Sequence, residues 1–476
     1  MLGMNIWRTK SPAEIFDASE HTQLKKNLTA IDLAALGIGS VVGTGIFVAT
    51  GQGAQLAGPG ILLSFIIAAI TCGFCALTYS ELACMFPVAG STYSYTYVAF
   101  GEVIAWIIGW DLMLEYMVAA SAVASGWSTT FIGLLQSAGV KFPKALVTAP
   151  ITTNEAGKII LSGGVVDLPA IIITLLITWI LFVGVRESAK FNNVIVVIKI
   201  LVILLFVVLG ITHVNLANMK PLMPFGWKGV MAGAAIIFFA YIGFDAVSTA
   251  AEETVNPKRD VPLGLMLCLG VVIILYVSVA FVLTGIVPYK EIDVGNALPS
   301  ALGRIGIRWG GALVATGAII GMISTLLVTL YGQVRIFMVM ARDGLLPAPF
   351  AKVHPKHMTP HICTWITGCV TALIAGIFPL PMIIDLCNIG TLFAFVLVSI
   401  GVIVLRKTRP EVERRFRTPG VPITPLITVA FCFYLMYSLP LITWIRFGIW
   451  MLAGLAIYFL YGVRHSKLQQ KDKAAA

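Results

Sequence analysis

The chain has 476 residues, of which 58% are hydrophobic and only 11% charged, with a mean hydropathy of +0.94 and a net charge of +10. Those values exclude a soluble protein with one or two ordinary cores, and they make lipid the solvent. The apolar runs are long and unbroken instead of alternating over ~10 residues, so they predict an all-α membrane bundle rather than a β-barrel.

Residues 1–28 are polar and mixed in charge, without the basic segment, apolar run and small-residue cleavage site of a secretory signal, so no processing is expected. Apolar segments then follow near 30–56, 60–85, 100–136, 165–185, 191–213, 228–250, 262–288, 310–333, 362–380, 382–405, 421–441 and 446–463. This spacing predicts twelve transmembrane helices. Of the 32 Lys and Arg residues, 22 fall on the side of the two termini, nine on the other side, and Lys199 inside a span. The bias predicts both termini in the cytoplasm of a cell-membrane protein, and it accounts for the basic charge without a nucleic-acid partner. Anionic lipid headgroups would favour the same face. The eight cysteines lie in or beside apolar segments with no metal-site spacing, and they read as packing residues; no metal, cofactor or redox motif is expected.

The first span is interrupted at Gly39, Gly43 and Gly45, and the sixth near Ala240 to Gly243. An offset of five spans is odd and turns the second copy upside down. This predicts a five-plus-five inverted repeat, 29–213 and 228–405, with helices 421–463 outside it and a tail at 464–476. In the run Gly37 to Phe47, glycine permits unwinding that leaves N–H groups at the positive end of a half-helix, where a carboxylate fits. The same glycines also suit close helix packing. At Phe238 to Asp245 a second interruption would free carbonyls for an ammonium group, and Phe238 or Phe239 could close over a ligand. Paired breaks thus offer the two ends of an α-amino acid opposite partners.

Gly37 to Phe47, Tyr79-Ser80-Glu81-Leu82 with Phe86 to Tyr95, Phe239 to Asp245 with Glu252 to Pro257, and Tyr331-Gly332-Gln333 to Pro347 together resemble the cationic amino acid transporter family of the amino acid-polyamine-organocation superfamily. The resemblance covers almost the whole chain. It implies the inverted-repeat fold with rocking-bundle alternating access. It also implies a substrate carboxylate on amides around Val42, Gly43, Thr44 and Gly45, with its amine on carbonyls near Val41, Phe239, Ala240 and Ile242.

Lys199 lies about eight residues into the fifth span, roughly 12 Å deep at ~1.5 Å per residue. A buried amine can release and regain a proton within a cycle. In relatives with lysine here, the ammonium takes the place of a sodium ion, which implies proton coupling; a bridging or snorkelling lysine is the structural alternative. Glu115 and Asp245 are the other notable intramembrane acids, with Asp111 one turn before Glu115. They could meet a cationic substrate side chain, or pair with Lys199, Tyr116 or freed backbone. Glu252, Glu253, Lys258, Arg259, Asp260, Arg335, Arg342 and Asp343 collect on the cytoplasmic side, where salt bridges among them could latch an inner gate. Ser324, Thr325 and Thr329 are candidate polar wall groups.

The expected function is proton-coupled import of an amino acid, with exchange as the competing mode. No nucleotide loop, zinc motif or interfacial acid–histidine cluster supports an enzyme, and two compact breaks do not make the continuous polar lining of a channel. Side-chain specificity, small neutral or cationic, and any accessory subunit stay open at this point.

Overall fold

The computed structural model describes residues 7–11, 28–86, 91–153, 159–184, 189–357 and 359–470. Residues 87–90 of the family-like motif, most of the N-terminal segment, and the basic Lys471 and Lys473 lie outside the described residues. Apart from a short antiparallel hairpin, β1 (Ile151–Thr153) with β2 (Ile159–Leu161), the described elements are helical.

In chain order the helices are α1 (Ala30–Val41), α2 (Thr50–Ala57), α3 (Ile61–Met85), α4 (Ser91–Phe100), α5 (Glu102–Ser137), α6 (Leu168–Val183), α7 (Ala189–Ile211) and α8 (Gly226–Ile237). They continue with α9 (Ala246–Thr249), α10 (Pro257–Ile286), α11 (Ala297–Arg304), α12 (Arg308–Arg342), α13 (His361–Ile377), α14 (Leu380–Thr408), α15 (Ile423–Tyr437) and α16 (Leu441–Ile457). Among the described residues, eight stretches are long and apolar enough to cross a membrane, and four shorter apolar helices, α1, α6, α13 and α15, lie among them. The chain is a multi-pass membrane protein. One of the eight stretches, Gly45–Met85, runs to 41 residues. At ~1.5 Å per residue that is about twice the ~30 Å hydrocarbon core. It is interrupted by the turn Gly58–Gly60, where Gly58 takes φ +61.

Local signals set the helix starts. A capping box between Thr29 and Asp32 opens α1, Asp167 accepts from the Ala170 N–H to open α6, and Pro257 stands at the head of α10. The helix α7 shows how each element divides lipid from protein. Val194, Val197, Leu201, Leu204 and Val208 are exposed at alternating steps of three and four, whereas Val196, Lys199, Ile203 and Phe206 form the buried stripe. Lys199 therefore faces the bundle. Seven cysteines are buried and packed; Cys369 is exposed, contrary to its reading as a packing residue.

The arginine-rich end of the bundle is held by one buried carboxylate. Arg406 grips Glu81 with two hydrogen bonds of 2.9 and 2.8 Å, the Thr418 N–H adds a third at 2.7 Å, and Arg414 lies at 3.5 Å. The loop after α14 is thereby folded onto the end of α3. Nearby, Lys258 pairs with Glu413 at 2.6 Å, and this bond, with one from Arg415, holds the exposed Glu413 carboxyl below its ordinary pKa. Of the charges expected on the cytoplasmic side that could latch an inner gate, Lys258, Arg335 and Asp343 find partners outside that group. Lys258 reaches the α14–α15 loop, Arg335 donates to the Tyr331 hydroxyl one turn away, and Asp343 binds Lys10 and Tyr93. Because Glu81 is buried and Arg414 nearly so, Glu81→Gln leaves two guanidiniums without their counter-charge. Thermal unfolding in detergent should show a loss of about 3 kcal/mol.

Candidate functional site

The two interruptions are where hydrogen bonding within the helices gives out. Helix α1 ends at Val41, Val42 is extended at φ −75 and ψ 95, and the chain rewinds as the π turn Gly45–Ala49 before α2. Helix α8 ends at Ile237 and tightens into the 3-10 turn Phe238–Tyr241. Ile242 is then extended, Gly243 takes φ +109, and Asp245 precedes the single turn of α9. The last carbonyls of one half-helix and the first N–H groups of the next have no partner along their own axis, so side chains or a bound molecule must supply them.

The breaks touch. A Cβ at Gly45 would collide with the Cα of Ala240, and one at Gly243 would come 2.7 Å from Ser40 Oγ. Both positions need glycine for the close approach, and Gly243 needs it also for its positive φ. Gly45 is thus brought directly against Ala240, while Gly43 abuts Thr325. Phe238 packs edge-on to Phe395 of α14, with ring centroids 5.9 Å apart, which makes it a packing residue. Phe239 is also buried, 6% exposed.

Three neighbouring helices satisfy the carbonyls freed at the end of α1. Lys199 of α7 donates to the Gly39 carbonyl at 2.5 Å and to Thr325 Oγ1 of α12 at 2.9 Å. Thr325 Oγ1 lies 3.3 and 3.4 Å from the Gly39 and Val42 carbonyls. Tyr276 of α10 donates to the Val41 carbonyl at 3.1 Å. Thr44 Oγ1 donates to Met322 Sδ at 3.3 Å and Val123 O at 3.5 Å. Of the candidate wall groups, Thr325 is central, while Thr329 turns back to the Thr325 carbonyl of its own helix. Tyr276 was not signalled by the sequence: a single tyrosine in an apolar run is indistinguishable there from core packing.

The acids form a second group. Glu115 and Asp111 of α5 and Asp245 before α9 are all buried. Glu115 lies within electrostatic reach of Asp245, with the Thr391 hydroxyl beside its carboxyl. Asp111 faces α14, where a Cβ at Gly390 would sit 2.8 Å from its Oδ1, and its two oxygens meet no hydrogen-bond donor among the described residues.

Residues 28–457 match the family model described as amino acid permease. The chain belongs to this family. Its relatives include the branched-chain amino acid permease BcaP of Bacillus subtilis, 47% identical over 98% of this chain and 99% of that one. The methylthioribose transporter of the same organism is 48% identical over 97% and 99% of the two chains. Human cationic amino acid transporter 4 is 31% identical over 96% and 90%. The permease is thus a member of the amino acid-polyamine-organocation superfamily that resembles the cationic amino acid transporters, and the family points to a transporter of amino acids rather than an enzyme.

The contact between the breaks makes a direct prediction for the permease. Gly45→Ala forces backbone against backbone, an overpacking cost of about 1–3 kcal/mol, and should sharply reduce uptake in proteoliposomes. Gly73→Ala, at a glycine with nothing within 4 Å of its built Cβ, should leave uptake unchanged.

Proposed function

We propose that this permease is a proton-coupled symporter that imports an α-amino acid by alternating access. In this reading the twelve apolar segments are twelve spans, arranged as a five-plus-five inverted repeat with two further helices and both termini in the cytoplasm. The substrate carboxylate sits on the amides of Val42, Gly43, Thr44 and Gly45, and its amine on the carbonyls of Val41, Phe239, Ala240 and Ile242. Phe239 covers the site.

The observation that carries the coupling is the position of Lys199, whose ammonium ties the end of α1 to Thr325 on α12. A charged amine donates to both partners. Loss of its proton weakens both bonds and frees the first half-helix to move relative to α7 and α12, so proton release accompanies opening. Its placement on the buried stripe of α7 favours this reading over a snorkelling lysine.

For the side chain, relatives named as branched-chain permeases favour a branched aliphatic substrate. In this reading Glu115 and Asp245 would meet the side chain of a basic amino acid. A relative of similar identity named for methylthioribose shows how far specificity drifts on this scaffold.

Labelled leucine, alanine and arginine uptake into proteoliposomes, with and without an inward proton gradient, tests the proposal. Gradient-driven accumulation that disappears in Lys199→Ala is the expected result. Accumulation that ignores the gradient and requires internal amino acid would establish exchange instead, and failure to take up any of the three would remove the amino acid reading.

A further inference from the structure

Asn388 of α14 is fully buried in an apolar part of the bundle, where an amide is costly unless its polar atoms are used. Its Nδ2 donates to the Ala235 carbonyl of α8 at 2.7 Å, while Oδ1 has no partner among the described residues. Ala235 stands close to the end of α8. In a continuous α-helix its carbonyl would accept the N–H four residues on, that of Phe239. The backbone has by then tightened into the 3-10 turn Phe238–Tyr241, whose geometry aims each N–H at the carbonyl three residues back. Asn388 provides a side-chain donor at the carbonyl where the α-helical ladder gives out.

The same turn of α14 is fastened to α5. Cys387 Sγ lies 3.8 Å from the Glu115 carbonyl, Thr391 stands beside the Glu115 carboxyl, and Gly390 abuts Asp111. The point at which α8 changes from α to 3-10 geometry is thus held by an amide whose own helix is anchored to a third element.

We propose that Asn388 is a positioning residue for the amine end of the substrate site, fixing through the Ala235 carbonyl where α8 gives way to its 3-10 turn and hence where the carbonyls of Phe239, Ala240 and Ile242 point. The proposal rests on the backbone-clamp reading above. It assigns Asn388 no contact with the substrate.

The test is competition against labelled leucine, alanine and arginine uptake in proteoliposomes by each unlabelled amino acid and by its amine-free counterpart, 4-methylpentanoate, propanoate or 5-guanidinopentanoate. Wild-type protein should strongly prefer the amine-bearing competitor, and Asn388→Leu, which fills the space without a donor, should narrow that preference about five- to tenfold, the worth of one buried hydrogen bond. Asn388→Gln, which keeps an amide donor, should recover part of it. If Asn388→Leu does not fold, Asn388→Ala, which also removes the donor, is read in the same way. An Asn388→Leu variant that still takes up the label, even at a reduced rate, and keeps the full preference for the amine overturns the role of Asn388 and leaves the clamp standing. A wild-type protein that accepts the amine-free competitors equally well overturns the clamp itself.

Discussion

A peptide group inside a bilayer has no water to fall back on, and the architecture around the two breaks follows from that constraint. Where α1 stops at Val41 and α8 at Ile237, carbonyls and amides lose their axial partners, and groups from α7, α10, α12 and α14 converge on them. Each is a polar residue in a predominantly apolar helix: Lys199, Tyr276, Thr325 and Asn388. Their burial is tolerable because a backbone carbonyl waits at the end of each.

Bringing the breaks together requires the backbones to meet without intervening side chains. Gly45 against Ala240 and Gly243 against Ser40 achieve this, and the packing leaves the first amides of the second half-helix close to the last turn of α8.

Charge in the bundle is divided by its surroundings. At the arginine-rich end, Glu81 is surrounded by Arg406, Arg414 and the Thr418 amide, a fully partnered arrangement that fixes a loop. Deeper in, Glu115, Asp111 and Asp245 cluster on α5 and the second break with hydroxyl, thiol and backbone neighbours. The first group has the chemistry of a fastener.

The solvent, the helical class and the two glycine-marked interruptions were legible in the sequence, because hydropathy and helix-breaking residues act locally. So was the depth of Lys199, since one charge in an apolar run is conspicuous. Its bonds to Gly39 and Thr325 were not legible, nor were Tyr276 and Asn388 as donors to freed carbonyls, because the partners lie more than 100 residues apart. The partners of Lys258 and Asp343 were not legible either, because Glu413 and Lys10 lie far away in the sequence. Sequence alone determined that this chain must live in lipid and where its helices must yield. Only the tertiary structure decided which side chains answer the hydrogen bonds left open, since that depends on which helices lie within about 3 Å of each break.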